Sequence, residues 1–246
     1  MALHAAAQSP SPRSRVVIVL SGQVLDDGGF LRLLENCQVL VCADGGARHL
    51  HRLNILPDLL VGDLDSIDPL DLQWIEEQGV PIDRFPSVKD ETDAELAILK
   101  VLHVLAGKNQ LPVADLDLHT VELVLLGALG GRPDHVLANQ LMAVQLAEQG
   151  LSVILSDGLS FLYPMAGPAE LTLDPQAILP QPCAISIVPV SPQITGLTYT
   201  GLRYPLEAAS LERGSCRGVS NRPVGDGPVT VKIKSGSLLL ILTPEV

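Results

Sequence analysis

The sequence predicts an α/β fold followed by a smaller all-β region, and three observations carry that reading. Short apolar runs without alternation punctuate the first part of the chain, segments of helical period lie between them, and after about Ser156 short β-type runs set off by Pro and Gly take over. A chain of 246 residues, 47% hydrophobic and 18% charged, is long enough to bury a sizeable core in one large or two smaller domains.

The elements follow in order. MALHAAAQSPSPRS has no cationic start followed by an apolar run, so residues 1–14 are expected to form a flexible tail and not a signal peptide. RVVIVL (15–20), QVLVCA (38–43), DLLVG (58–62), VPIDRF (80–85), VELVLLG (121–127) and LSVILS (151–156) lack the alternation of half-exposed strands. Strands covered on both faces read this way, as in a largely parallel sheet flanked by helices. Asp68 opens one helix. A second carries Ala94, Ala97, Ile98, Val101, Leu102 and Leu105 on one stripe, and a third runs from about Asp134 to Gln149 with Leu137, Leu141, Val144 and Leu146 among its apolar positions. The polar stretch 107–120 connects elements inside this domain.

Beyond it, AISIVPV (184–190), ITGLTY (194–199), PVTVKIK (228–234) and SLLLILT (237–243) predict a β-sandwich-like domain, with LEAASLER the one segment offering a short helix instead. The expected organisation is a tail over 1–14, an α/β domain over 15–156 and an all-β domain over 157–246.

Composition narrows the function classes. With 28 Asp and Glu against 16 Lys and Arg, the net charge of -12 disfavours nucleic acid and anionic membranes as partners. Cys37, Cys42, Cys183 and Cys216 form no CxxC pair, so neither a zinc site nor a disulfide framework is signalled. No apolar run approaches the roughly 18 residues that span a bilayer, and a cytoplasmic location is expected.

In so acidic a chain, VGDLDSID (61–68) adds three carboxylates where a buried strand ends. In open α/β sheets the carboxyl ends of the strands form one rim, so positions far apart in sequence converge there. Asp44, Gly45 and Gly46 follow QVLVCA; Asp63, Asp65 and Ser66 follow DLLVG; Lys89, Asp90, Thr92 and Asp93 follow VPIDRF; and GALGGRPDH follows VELVLLG. Each cluster taken singly also reads as turn and cap residues, Thr92 with Glu95 fitting a capping box and Pro133 a first helical position. Together, four carboxylates on one rim repel unless a cation sits among them, and hard oxygen ligands suit Mg²⁺ held jointly with substrate phosphates. Lys89 and Arg132 would then cover remaining phosphate oxygens, while the Gly45-Gly46 and Gly130-Gly131 pairs let backbone approach closely. Neither GxGxxG nor GxxxxGK[ST] occurs. Transfer from a nucleotide is the chemistry this set suggests.

The ordered motifs CADGGARHL (42–50), PDLLVGDLDSID (57–68), KDETDAELAI (89–98), LGALGGRPDHVLANQ (126–140) and SNRPVG (220–225) resemble the thiamine pyrophosphokinases. The resemblance implies Mg²⁺-dependent transfer of the pyrophosphoryl group of ATP to the hydroxyethyl group of thiamine, releasing AMP, by a homodimer with active sites between subunits. It implies that Asp44, Asp63, Asp65 and Asp93 bind the metal and that Lys89, Thr92 and Arg132 contact the polyphosphate, with Gly45, Gly46, Ser66, Gly130 and Gly131 also on the nucleotide side. Asp134 would position the substrates, and Ser220 and Asn221 would bind thiamine. Asp65, Asp93, Arg132 and Asp134 are the candidate catalytic residues, the general base being open among Asp93, Asp134 and a metal-bound water. His135 is a further candidate contact or a structural helix-start residue.

Thiamine's rings are flat and an aromatic face would suit them. The run SGSLLLIL (235–242), where some members of the family supply one, has none, and the single Trp, Trp74, reads as a packing residue. Two other readings stay open: a phosphohydrolase using DLDS, whose motif however follows the third strand and lacks a Thr or Val after Asp65, and a noncatalytic nucleotide- or thiamine-binding module.

Overall fold

The computed structural model describes residues 13–86 and 90–245. The tail expected over 1–14 therefore lies outside the described residues up to residue 12. The chain folds as two compact units, one of residues 13–139 with 155–158 and the other of residues 140–154 with 159–245.

The first unit alternates strand and helix: β1 (Ser14–Val19), α1 (Asp27–Leu34), β2 (Cys37–Ala43), α2 (Ala47–Leu53), β3 (Leu59–Gly62), α3 (Pro69–Glu77), β4 (Ile82–Arg84), α4 (Asp93–Lys108), β5 (Val121–Leu126) and the start of α5 (Pro133–Glu148). Its strands lie in the order β4-β3-β2-β1-β5, all parallel. β6 (Ser152–Ser156) comes next along the chain. Successive strands run outward from β1 to β4, and then β5 returns to the other side of β1. That reversal is a topological switch, which in such sheets opens a crevice at the carboxyl ends of the strands.

The absence of alternation has the expected cause. Val16 to Val19, Val39, Val41, Leu60, Val61 and Leu123 to Leu126 are all buried, and α4 covers β1, β2 and β3 with Ala97, Val101 and Leu105 on its buried side. Local chemistry sets where the helices begin. Asp26 accepts from the backbone N–H groups of Gly28 and Gly29 at the start of α1. Asp68 caps α3 ahead of Pro69. Thr92 and Glu95 close a reciprocal capping box on α4. The connection 107–120 holds the end of α4 and two short 3₁₀ turns, Val113–Asp115 and Leu118–Thr120. On α5 only Ala143 and Val144 are buried, and Leu137 and Leu141, read as apolar positions of a packed helix, are exposed.

The second unit is β-rich: β7 (Phe161–Ala166), β8 (Ala169–Leu173), the short α6 (Pro175–Ile178), β9 (Cys183–Pro189), β10 (Gln193–Thr200), β11 (Leu206–Glu212), β12 (Val229–Ile233) and β13 (Ser237–Pro244). They pair antiparallel as β7-β13-β9 and as β11-β10-β12-β8. LEAASLER supplies β11 and no helix. Its backbone pairs with β10, Leu211 opposite Ile194, and Ala208 takes a positive φ of 46° that a helix does not allow. Cross-strand pairing has overridden a helical composition.

Candidate active site

The strand order determines which loops are neighbours. The loop after β2 lies between those after β3 and β1, and the loop after β5 lies on the far side of β1.

After β2 the chain turns at once into a 3₁₀ turn, Asp44–Gly46. Asp44 has a positive φ of 42°, which aspartate tolerates better than most side chains. Gly46 is required by close approach: a Cβ there would stand 2.2 Å from the Val19 carbonyl oxygen. After β3, Gly62 leaves room for the Asp44 side chain, whose Cβ would be 3.0 Å from an added Cβ, and Leu64 takes a positive φ of 66°. Two strained non-glycine residues on facing loops suggest a functional constraint.

These turns bring carboxylates together. Asp44, Asp63 and Asp93 each offer an oxygen within 4.8 Å of the others. Asp44 is 3% exposed. One of its oxygens, Oδ2, accepts from the Ser66 hydroxyl, and the other, Oδ1, is buried without a hydrogen-bond partner. Burial pushes the Asp44 carboxyl above the usual range; the Ser66 hydrogen bond opposes this, and the charges of Asp93, Asp63 and Asp65 add to it. An orphaned buried carboxylate oxygen is costly. A divalent cation in a ring of hard oxygen ligands removes that cost, so the residues present fit the ion they were expected to hold.

The other predicted residues of this unit that are described belong to the loops after β3, β4 and β5 and the turns that follow them. Asp65 is exposed and outside it, its backbone N–H donating to Asp63 Oδ1 at 3.1 Å. Thr92 closes the first turn of α4, its hydroxyl 2.9 Å from Glu95 Oε2 and accepting from the Glu95 N–H at 3.3 Å. Lys89 lies outside the described residues. In the loop after β5, Arg132 and Asp134 pair at 2.6 Å, both exposed. The Arg132 guanidinium holds the Asp134 carboxyl down at about 2. Gly130 and Gly131 have φ of 81° and 86° and shape that turn; His135 is exposed beside them.

The sequence reading missed a basic wall along α2. Arg48, next after Ala47 on α2, donates to the Ser21 and Gly22 carbonyls of the β1 loop. His49 Nε2 lies 2.8 Å from Gly22 O and 3.3 Å from Arg48 Nε. A cavity of about 610 Å³ opens here, lined by Val24, Leu25, Asp27, Arg48, His49 and Arg52. Arg52 grips Asp27 through two bonds of 2.5 and 2.6 Å. The cavity belongs to the strand-end rim, since Arg48, which lines it, also bonds the loop after β1. ARHL following DGG was the available signal.

Within the second unit, Ser220 is exposed with a positive φ of 60°, its N–H donating to Ser186 Oγ at 3.0 Å. Asn221 is turned inward and buried. Its Oδ1 accepts from the Tyr204 and Arg222 N–H groups, and its Nδ2 donates to the Tyr204 carbonyl. No helix among the described residues is long and apolar enough to cross a membrane.

Fold and rim define an α/β protein with a carboxylate cluster at the carboxyl ends of its parallel strands and an antiparallel β region after it. Family models agree: "Thiamin pyrophosphokinase, catalytic domain" matches residues 30–155 and "Thiamin pyrophosphokinase, vitamin B1 binding domain" residues 177–238. Among curated proteins, thiamine pyrophosphokinase 2 of Oryza sativa subsp. japonica is 26% identical over 89% of this chain and 82% of its own length. Thiamine pyrophosphokinase of Bacillus subtilis (strain 168) is 27% identical over 82% and 86%. Crystal structures of the thiamine pyrophosphokinases of Bacillus subtilis and Candida albicans share the fold, with TM-scores of 0.76 and 0.74 at 24% and 20% identity, covering 95% and 96% of this chain and 100% and 95% of theirs. The chain belongs to the thiamine pyrophosphokinase family and is an enzyme of that class.

Proposed function

We propose that the protein is a Mg²⁺-dependent thiamine diphosphokinase, transferring the pyrophosphoryl group of ATP to the hydroxyethyl group of thiamine and releasing AMP. The observation that carries this reading is the buried, unpartnered Oδ1 of Asp44, a residue whose carboxylate clusters with those of Asp63 and Asp93. In this reading region 15–156 binds nucleotide and metal, and region 157–246 binds thiamine.

Asp44, Asp63 and Asp93 would hold Mg²⁺, with Asp65 in support. When bound, the ion would neutralise charge on the polyphosphate and on the carboxylates alike. The chain's own residues do the rest. Arg132 is free to reach phosphate oxygens once its exposed pairing with Asp134 is exchanged, and its planar fork suits bidentate contact. Lys89 and Thr92 belong to the same set, Thr92 also fixing the start of α4. The neighbouring cavity suits the nucleoside half: Val24 and Leu25 give apolar wall, Arg48 and Asp27 polar edge.

In the reaction the thiamine hydroxyl oxygen bonds to the β-phosphorus as the bridge to the α-phosphate breaks, and AMP leaves with that bridging oxygen. Most of the catalysis is then alignment and charge stabilisation. The hydroxyl proton needs an acceptor on the rim. Asp134, held at about 2 by Arg132, is a weak base in that pairing, which favours Asp93. The exposed Ser220 hydroxyl is the candidate thiamine contact, with Asn221 beneath it. A homodimer in the cytoplasm, with active sites between subunits, completes the reading; the exposed Leu137 and Leu141 offer apolar surface for association.

The test is to incubate purified protein with ATP, Mg²⁺ and thiamine and to follow AMP and thiamine diphosphate by chromatography, omitting each component in turn. Equal yields of both, dependent on all three, are expected. ADP with thiamine monophosphate would reassign the transferred group, and phosphate release without thiamine would move the protein to hydrolysis.

A further inference from the structure

We propose that Tyr204 is the platform on which the cationic ring of thiamine stacks, and that Asn221 acts by holding Tyr204 in place. The inference rests on the proposed thiamine diphosphokinase reading.

Aromatic side chains are scarce, and almost all are used inside. Phe30, Phe161, Tyr163 and Tyr199 are buried. Phe85 and Trp74 are half-buried, Phe85 beneath the Lys100 ammonium at 5.4 Å and Trp74 stacked on the His51 ring at 4.7 Å. Tyr204 alone among the described aromatics is exposed, at 64%. This large exposed ring lies within the region that matches a vitamin B1 binding domain, where its face is open to a flat ligand.

Its backbone is held rigidly. Residues 201–204 run antiparallel to 221–224: Leu202 bridges Pro223, the Arg203 N–H donates to the Arg222 carbonyl at 2.8 Å, and the Val224 N–H donates to the Gly201 carbonyl at 2.9 Å. At the end of this ribbon the Asn221 amide clamps Tyr204 from both sides, Oδ1 accepting its N–H at 3.1 Å and Nδ2 donating to its carbonyl at 2.9 Å. Pro205 follows and narrows the backbone range open to Tyr204. Ser220, the exposed residue next to Asn221, therefore sits beside the ring's anchor. A backbone held in this way has little freedom left to lose when a ligand arrives.

The ring already receives a cation. The Arg203 guanidinium carbon lies 5.6 Å from its centroid, within the range of a cation–π contact. Thiamine presents a flat, permanently cationic thiazolium, which can take that face in place of an exposed arginine. Arg203 would then be a competitor of like charge, and Tyr204 and Arg203 are expected to have opposite effects on thiamine recognition. Asn221 is a positioning residue here, because its amide is spent on Tyr204 and Arg222.

The experiment measures thiamine affinity by calorimetry and the KM values for thiamine and ATP in wild type, Tyr204→Ala, Tyr204→Phe and Arg203→Gln. Tyr204→Ala is expected to raise thiamine KM and Kd about tenfold, equivalent to ~1.4 kcal/mol, with ATP KM unchanged. Tyr204→Phe should retain wild-type values, since the ring face remains. Arg203→Gln should leave thiamine affinity unchanged or tighten it. Asn221→Ala should reproduce the Tyr204→Ala shift in thiamine KM without one in ATP KM. Equal thiamine affinity in wild type and Tyr204→Ala would overturn the proposal, as would parallel losses in Tyr204→Ala and Arg203→Gln or a shift in both KM values accompanied by a change in oligomeric mass. If the wild type binds thiamine but forms no product, the proposed reaction fails while the Kd comparison still decides the role of Tyr204.

Discussion

Replacing Asp44 by Asn should make the metal-free protein more stable while removing its response to Mg²⁺. Carboxylates with oxygens 4.8 Å apart or closer repel by about 0.9 kcal/mol per pair in bulk water and by about 3.5 kcal/mol at an effective dielectric of 20. Asp44→Asn removes two such pairs, those with Asp63 and Asp93, and also the cost of burying a charge with Oδ1 unpartnered. The amide oxygen can still accept from Ser66. Relaxation of the half-buried neighbours offsets part of the gain, and a net stabilisation of about 1–3 kcal/mol is expected. At about 2–4 °C per kcal/mol for a protein of this size, the melting temperature without metal should rise by several degrees. Thermal melts with a chelator and with added Mg²⁺ read both effects. Wild type should climb with Mg²⁺, as any ligand of the native state requires, and the variant should not. A variant that melts below wild type in chelator, or that keeps the full Mg²⁺ shift, refutes the reasoning.

Other expectations follow from the same geometry. Gly46→Ala puts a Cβ 2.2 Å from the Val19 carbonyl oxygen, so about 1–3 kcal/mol of stability should be lost in urea titrations, together with activity, as the Asp44 turn shifts. Gly107→Ala, in the last turns of α4 with open space around it, should gain about 0.5–1 kcal/mol in the same assay. Thr92→Ala should cost about 1 kcal/mol through the lost cap on α4, and Thr92→Ser should restore most of it. His49 is held below the usual histidine range, chiefly by burial and further by Arg48 and Arg52, against the Gly22 hydrogen bond. The unfolded chain therefore takes up this proton first, so the His49 contribution is complete above about pH 6.5 and lost as pH falls through the lower folded value. Melting curves from pH 7.5 to 5 should fall less steeply in His49→Gln than in wild type.

The parallel strands were legible because burial on both faces erases alternation, leaving runs such as VELVLL that could sit nowhere else. The acidic rim was legible for a related reason: buried strands end abruptly, and Asp44, Asp63 and Asp93 stand at or beyond those ends. Side-chain distance was not legible. Spacing gave Asp65 and Asp63 equal standing, yet the turn at Leu64 joins Asp63 to Asp44 and Asp93 and leaves Asp65 exposed. Asn221 beside Ser220 looked equally available for a ligand, but only cross-strand pairing shows that its amide is spent on the backbone of Tyr204. Leu137 and Leu141 follow a helical period, which specifies a face and not what covers it.

Several unfavourable features of the first unit gather on the rim. Asp44 and Leu64 occupy left-handed backbone at a cost of order 1–3 kcal/mol each for a non-glycine residue, and Asp44 Oδ1 goes unsatisfied beside like charges. None of this helps the sheet, whose strands Val16–Val19 and Leu123–Leu126 are buried without such conflicts. A fold can carry a conflicted rim only if its core is secure, and selection retains the conflict only if something bound there repays it. A metal ion and a polyphosphate meet that condition, because cation binding cancels carboxylate repulsion and occupies the orphaned oxygen in one event. Changes that relieve the rim should stabilise the free protein and disable it, whereas changes to the core should destabilise it and leave its ligand preference intact.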